Sequence, residues 1–398
     1  MNRKLFSDKM TGELVLADAP DPDWAFVPAP LPPRAWRFPQ RLWPLLSDAK
    51  ERLGTLNGIG RTLPNPELLL RPLQSREALR SSSLEGTYAT PEELLLFEKS
   101  ADKEPTSEGD RRNAWLEVFN YGESLRLGME LLGSLPFSLR LVRAIHERLL
   151  RGVRGRERTP GDIRRTQVCI GSDRRFVPPP IDRLPDTLSE LEKYMNTEDS
   201  EPDGLVRCYL LHYQFEAIHP FLDGNGRVGR ALLSLMIYKL CGHHMPWLYM
   251  SAFFERFKDE YVDKLFKVSA EGAWDDWLEF CLRGTIEQAN DSIRRCEELR
   301  ELRDKYAARL DRGSVRTHQI VERLFTDPIV TAPEIEKALN VSYPTARRDL
   351  DLLVQAGILR LIERTHPMAF CAHEVFAIAY REPHDADEIP RDEPREGV

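Results

Sequence analysis

The chain has 398 residues, 41 % hydrophobic and 30 % charged, with a formal net charge of -8. That length supports two or three domains with substantial cores, and the composition excludes a disordered or fibrous chain. The acidic balance argues against a surface that is a nucleic-acid platform throughout, although a local basic face is compatible with it, and no apolar run approaches the roughly 18 residues of a membrane span.

The N-terminus, Met1-Asn2-Arg3-Lys4-Leu5-Phe6-Ser7-Asp8, carries charge with no apolar segment behind it, so it does not read as a signal peptide. The six cysteines, Cys169, Cys208, Cys241, Cys281, Cys296 and Cys371, lack the short paired spacing of zinc or redox motifs. Their scatter reads as the reduced thiols of a cytoplasmic protein. In residues 1–45, Pro20, Pro22, Pro28, Pro30, Pro32 and Pro33 follow in quick succession. That spacing blocks helix and central strand and predicts an extended arm.

From about 46 to 155 the apolar periodicity is helical, clearest over 91–98, 111–134 and 137–151. Thr90 followed by Pro91-Glu92-Glu93 is a helix start, with a cap, a proline in the first turn and two acids at the positive end. Residues 161–177 alternate loosely and end in Pro178-Pro179-Pro180, which predicts a short hairpin or extended segment. Helices are expected again over 184–197, 203–217, 226–241, 253–268 and 273–292. The charge-dense stretch 286–312 reads as a solvated connecting helix.

The last part has a logic of its own. Residues 315–325 form one helix, Thr331-Ala332-Pro333-Glu334-Ile335 opens a second, and Asn340-Val341-Ser342 makes a turn. Tyr343 to Ala356 forms a third helix ended by Gly357, and β structure begins at Ile358–Ile362. This order is that of a winged helix-turn-helix. The expected divisions are an arm and upstream helical region over 1–110, a core over 111–285, a connector over 286–312, the winged helix over 313–380 and a disordered tail over 381–398.

One stretch concentrates chemistry: His219-Pro220-Phe221-Leu222-Asp223-Gly224-Asn225-Gly226-Arg227-Val228-Gly229-Arg230. It is a loop entering a helix near Gly226. Gly224 and Gly226 flank Asn225, so successive backbone N–H groups can converge and the helix start adds its positive field, an arrangement suited to phosphates. Arg227 and Arg230, three apart, project toward the same side. Asp223 at the mouth is a carboxylate placed to hold Mg²⁺ beside phosphates. His219 could take a proton from an incoming hydroxyl, with Phe221 anchoring the loop. Taken singly, a histidine before proline is an ordinary structural residue, a glycine-rich turn merely connects helices, and two arginines are surface charge. Their joint occurrence within twelve residues is what points to a phosphate site.

This stretch resembles the signature of the Fic family: a histidine, a phenylalanine two further on, an acid, Gly-Asn-Gly-Arg and a final arginine. The resemblance spans most of residues 55–285. It implies an all-α core with a short β-hairpin flap, here joined to a winged helix-turn-helix, and the transfer of AMP from ATP to a Ser, Thr or Tyr hydroxyl of a target protein or of the chain itself. By position, it makes His219 the general base, Asp223 the Mg²⁺ ligand, and Asn225, Gly226 and Arg227 phosphate contacts. Gly224, Val228 and Gly229 belong to the same nucleotide-binding stretch, and Arg230 would meet the γ-phosphate.

The segment 161–171 resembles the family's flap, with Thr166, Gln167, Val168, Cys169 and Ile170 offering backbone to an extended target. Upstream, Ser81-Ser82-Ser83-Leu84-Glu85-Gly86 resembles the family's inhibitory motif, in which Ser81, Glu85 and Gly86 occupy the key positions. It implies that Glu85 pairs with Arg230, displaces the γ-phosphate and slows transfer, and the family also suggests a reverse, AMP-removing activity. Beyond the signature helix the pattern departs: Phe257, Lys258, Tyr261 and Val262 stand where an asparagine or similar polar residue, an arginine and a pair of tyrosines are usual, and the resemblance leaves Tyr261 as an adenine or target contact. Some members transfer UMP, phosphocholine or phosphate instead. The rival reading is a DNA-binding regulator acting through Arg347 and Arg348, and a homodimer suits the helical surfaces.

Overall fold

The computed structural model describes residues 1–17, 23–34, 36–62, 66–100, 104–153, 159–171, 174–197, 202–310, 314–363 and 365–381. Pro20, Pro22 and nearly all of the expected tail, 382–398, lie outside them. The chain divides into two compact units, one made of residues 1–61 and 74–290, the other of 62–73 and 291–398. Among the described residues no helix is long and apolar enough to cross a membrane.

The first unit opens differently from the expected arm. Strands β1 (Gly12–Ala17) and β2 (Asp23–Pro28) form an antiparallel hairpin, with Gly12 opposite Pro28 and Ala17 opposite Asp23. Pro28 falls at the very end of β2, where a missing N–H interrupts nothing. The hairpin is held to the body by the Phe26 N–H donating to the Val177 carbonyl at 2.8 Å, and by the Phe26 ring lying between Phe6 and Phe176.

Helices then follow: α1 (Trp43–Thr62), α2 (Glu67–Leu84), α3 (Pro91–Lys99), α4 (Arg112–Leu132), α5 (Leu139–Leu149), α6 (Leu184–Met195), α7 (Gly204–Ile218), α8 (Asn225–Leu240), α9 (Ser251–Arg256), α10 (Lys258–Glu271) and α11 (Trp274–Arg309). The start of α3 is a full capping box, with Thr90 and Glu93 each accepting from the other's N–H. α7 is buried on nearly every side, which makes it the central helix. It packs on α8, and α4 packs on both α5 and α8.

The second unit begins within α11. The stretch expected to be a solvated connector is the continuation of one 36-residue helix. It buries Arg295, Cys296, Leu299, Leu302 and Tyr306, a stripe at helical spacing hidden among charged neighbours. Beyond it lie α12 (Val315–Thr326), β3 (Ile329–Thr331), α13 (Ala332–Leu339), α14 (Tyr343–Gln355), β4 (Arg360–Ile362), β5 (Ala369–Cys371) and α15 (His373–Tyr380). The sheet order is β3-β5-β4, all antiparallel, around a core that includes Ile320, Leu324, Ile335, Leu350, Leu353 and Phe370. Asn340 turns the chain between α13 and α14 in the left-handed region, at φ 51°. The fold is thus predominantly helical, with small β elements and a C-terminal helix-turn-helix region.

Candidate active site

The signature loop links the end of α7 to the start of α8. His219 caps α7 with φ 51° and ψ 63°, a left-handed conformation uncommon for a residue with a side chain. Arg164, only 2 % exposed, holds it there: its N–H donates to the Pro220 carbonyl at 2.9 Å, its Nε to the His219 carbonyl at 2.9 Å, and its Nη2 to the Pro179 carbonyl at 2.6 Å. One buried guanidinium therefore ties the signature loop to the segments that flank the flap. Burial draws Arg164 down to about 10, so it still carries its charge at neutral pH.

Phe221 is fully buried and stacks face to face on His146 of α5, with ring centroids 3.7 Å apart. His146 Nδ1 accepts from the Gly161 N–H at 2.9 Å, which leaves the proton on Nε2 to donate to the Asp223 carbonyl at 3.0 Å. Burial keeps this imidazole neutral, with its pKa down at about 4. Asn225 closes the loop from inside: its Oδ1 accepts from the Phe221 N–H at 2.8 Å and its Nδ2 donates to the Phe221 carbonyl at 2.9 Å. Its side chain is therefore a brace, and only its backbone N–H is available to a phosphate.

Gly224, at φ 78°, is the N-cap of α8, a conformation that suits a residue without Cβ. The Val228 N–H bonds to the Gly224 carbonyl, so the N–H groups of Asn225, Gly226 and Arg227 come before the first intrahelical bond, in position to receive an anion. Two residues of the expected nucleotide stretch serve packing instead. Val228 is fully buried in the core. Gly229 is a close-approach glycine, since a Cβ there would lie 2.2 Å from Glu216 Oε1.

The two arginines of α8 are both buried and both engaged. Arg227 donates to Glu117 Oε2 at 3.1 Å and lies 3.5 Å from Asp223 Oδ2, while Glu117 also accepts from Thr87. Arg230, 3 % exposed, donates from Nε to the Ser81 hydroxyl and from Nη2 to the Ser81 carbonyl and Glu85 Oε1, all at 2.8 Å. Glu85 sits where α2 ends, and Gly86 at φ 84° turns the chain away. Its carboxylate lies directly over Gly226, where an added Cβ would meet Oε1 at 2.3 Å. Burial works to raise the Glu85 pKa, but Arg230 outweighs it and the net shift is downward. Although protein atoms crowd it, the side chain keeps 40 % of its surface open because the pocket begins beside it. For Arg230, burial opposes the charge and the Glu85 carboxylate more than restores it.

Beside these groups opens a cavity of about 520 Å³ lined by Leu84, Glu85, His219, Gly226, Arg230, Lys258, Tyr261 and, from the flap, Ile170 and Phe176. A larger cavity, about 920 Å³, lies by the N-terminal hairpin, Trp36 and Trp274, but contains no histidine, cysteine or α8 residue to work with. Lys258 donates to the Leu84 carbonyl at 2.7 Å and so fixes the end of α2. Tyr261 is not free to offer its hydroxyl: His212 Nδ1 faces the Gly229 carbonyl and must donate, so Nε2 accepts from the Tyr261 hydroxyl at 2.8 Å. The pocket receives only the ring.

The flap is thinner than expected. Ile170 and Phe176 form a single antiparallel bridge. Gln167 is tied back through its Nε2 to the Val168 and Pro178 carbonyls, and Thr166 and Cys169 are exposed. His219 Nδ1 is buried with no hydrogen bond of good geometry, which puts Nε2 on the pocket side. Burial first, then Arg164, push the His219 pKa down to about 4; the Glu216 carbonyl, Glu85 and Asp223 act in the opposite direction.

The described residues contain no group of three or more His, Cys, Asp or Glu side chains able to hold a metal by themselves. Asp223, 34 % exposed at the loop mouth, supplies one carboxylate. That donor set fits Mg²⁺, which is held by one or two carboxylates and completed by phosphate oxygens and water.

Arg164, His146, Glu117 and Glu216 were not singled out from sequence. His146 did leave a signal, a histidine on the apolar stripe of Leu141, Val142, Ile145 and Leu149. So did Glu216, the one acid in α7.

Residues 43–130 match the family described as Fic/DOC family N-terminal, and 136–237 match the Fic/DOC family itself. Residues 316–373 match the DeoR-like helix-turn-helix domain. The chain carries a Fic-family domain followed by a helix-turn-helix domain.

Among individual relatives, the protein named Protein adenylyltransferase Fic from Drosophila grimshawi is 33 % identical over 114 residues, covering 28 % of this chain and 23 % of that protein. Protein adenylyltransferase fic-1 from Caenorhabditis elegans is 36 % identical over 80 residues, covering 20 % and 15 %. The chain thus spans less than a quarter of the length of these curated relatives. A Fic family protein from Desulfovibrio desulfuricans shares the fold at TM-score 0.52 and 20 % identity, over 85 % of this chain and 97 % of that one. Fic-1 from Caenorhabditis elegans does so at 0.52 and 22 %, over 66 % and 76 %.

Proposed function

We propose that the chain transfers AMP from ATP to a protein hydroxyl and that Glu85 restrains the reaction. The observation that carries this reading is the Arg230 triad: a buried guanidinium beside an N–H-lined helix start, with an internal carboxylate in the place of an incoming phosphate. The amides of residues 225–227 hold the α- and β-phosphates. Arg230 takes the γ-phosphate once Glu85 has moved.

A Ser, Thr or Tyr hydroxyl of the target, aligned along residues 166–170, gives its proton to His219 Nε2. Its oxygen forms a bond to the α-phosphorus as the bond to the β-phosphate oxygen breaks, and pyrophosphate leaves. Mg²⁺, held by Asp223 and the phosphates, would neutralise charge on the phosphoryl oxygens. The neutral state of His219 leaves its lone pair ready. The negative charge of the nucleotide raises its proton affinity when it is needed.

The test is intact-mass measurement after incubation with ATP and Mg²⁺, comparing the native chain, Glu85→Gly, and Glu85→Gly with His219→Ala. An adduct of one AMP, strongest in the Glu85→Gly form and absent without His219, supports the reading. Labelled ATP with a cell lysate extends the test to separate targets, and UTP tests the other donor. No transfer from any donor under both conditions refutes it.

A second role belongs to the helix-turn-helix unit. Arg348 on α14 is exposed, whereas Arg347 is paired with Asp351 and lies over the Phe370 ring. DNA contact therefore rests on Arg348, and salt-dependent duplex binding that survives Arg348→Ala argues against it.

A further inference from the structure

The pocket contains a carboxyl group that the transfer step does not use. Glu216 stands three residues before His219 on α7 and lines the same cavity. Its Oε1 is buried and has no hydrogen-bond partner among the described residues. It fills the space over Gly229, so the glycine and the carboxyl fit one another.

More than nine in ten buried polar groups find a partner, and an orphan of this kind costs roughly 1–3 kcal/mol of desolvation. An acid kept at that cost on a pocket wall calls for a donor that arrives with a ligand. Its place in the cavity narrows which one. Gly226 and Arg230, where phosphates would bind, line the cavity together with Leu84, Val262, Leu265 and Phe266, apolar side chains suited to a flat ring, and Glu216 shares that lining with both groups. Burial raises its pKa to about 7, with Arg230 pulling down and Glu85 pushing up, so near neutral pH the group sheds much of its charge. A carboxyl in that state does not repel a neighbouring triphosphate.

We infer that Glu216 binds the nucleoside half of the donor nucleotide, accepting a hydrogen bond from the exocyclic amino group of the base or from a ribose hydroxyl. This rests on the nucleotide-transfer reading above.

The test is a titration of the full-length Glu85→Gly chain, with and without Glu216→Ala or Glu216→Gln. The ligands are ATP, the purine riboside triphosphate lacking the amino group, and 2′-deoxy- and 3′-deoxy-ATP. Glu216→Ala should weaken ATP about tenfold, the loss of one hydrogen bond. It should leave the affinity of one analogue unchanged, the one missing the group that Glu216 binds. Glu216→Gln keeps an acceptor oxygen and should retain most of the ATP affinity, and both variants should melt no lower than the parent.

ATP affinity within about twofold of the parent in Glu216→Ala overturns the inference, as does an equal loss for ATP and every analogue. If the parent transfers AMP but Glu216 is irrelevant to binding, this inference alone falls. If the parent binds no ATP, both readings fall together.

Discussion

Replacing Glu85 by glycine isolates the contact on which regulation would turn. The Arg230–Glu85 pair is 2.8 Å long, but Glu85 is 40 % exposed, and Arg230 keeps both of its bonds to Ser81 when the carboxylate is removed. A charge-assisted hydrogen bond is worth about 1.5–3 kcal/mol. With one partner this open to solvent, the loss on mutation falls toward about 1 kcal/mol. The effect on rate is larger. Glu85 Oε1 overhangs Gly226 and holds the guanidinium that, in the proposed reaction, receives the γ-phosphate. A phosphate chain displaced by about 1 Å from alignment loses roughly a hundredfold in rate. Glu85→Gly should therefore raise the initial rate of AMP incorporation by roughly a hundredfold, while the denaturation midpoint barely moves. Glu85→Gln, which keeps a hydrogen bond without the charge, should fall between. The assay is AMP incorporation over time by intact mass, at saturating ATP and Mg²⁺. Equal rates for native chain and Glu85→Gly would refute the argument, because Arg230 would then be shown not to need release.

Other outcomes follow from the same geometry. The His219 pKa is held down at about 4 by burial, so the base is neutral above that value and protonated below it. In the Glu85→Gly form, which also loses a carboxylate that favours the proton, kcat/KM should stay flat from pH 6 to 8 and fall only in strong acid; an acid limb near 6.5 argues against a buried base. Phe221→Ala removes the ring stacked on His146 and should cost about 3–5 kcal/mol in urea unfolding. Gly229→Ala would drive a methyl group into Glu216 and should cost about 1–3 kcal/mol, most of it recovered in the double variant with Glu216→Ala, as thermal melts of the four forms would show.

The signature loop stood out in sequence because its residues are local. His219, Asp223, Gly224 and the two arginines sit within twelve residues, and their order alone carries the resemblance. What supports them was not legible, because it arrives from far along the chain. Arg164 reaches His219 across 55 residues, His146 reaches Asp223 across 77, and Glu117 reaches Arg227 across 110. No local pattern marks such partners. The N-terminal hairpin was obscured by prolines that read as strand breakers, although β1 ends before Pro20 and β2 starts after Pro22 and ends on Pro28. In α11 a shift to charged composition suggested solvent on all sides, yet every third or fourth residue is still buried. Composition averages over faces, and a helix has more than one.

The end of α2 is also part of the pocket. Leu84 lines the cavity, Lys258 grips its carbonyl, and the buried Glu77 carboxyl one turn before Ser81 receives bonds from Tyr121 and Ser251. Cutting this helix away would take a wall of the pocket with it, so in the proposed mechanism relief cannot come by discarding the segment. It is left to a single half-open side chain, whose rotamers exchange far faster than any helix detaches. A contact worth about 1 kcal/mol leaves Glu85 swung clear about one time in six, so in the proposed mechanism most of the restraint lies in the misaligned phosphate chain and not in the strength of the pair. A ligand that favours the open rotamer by only that small margin would tip the side chain out of the way.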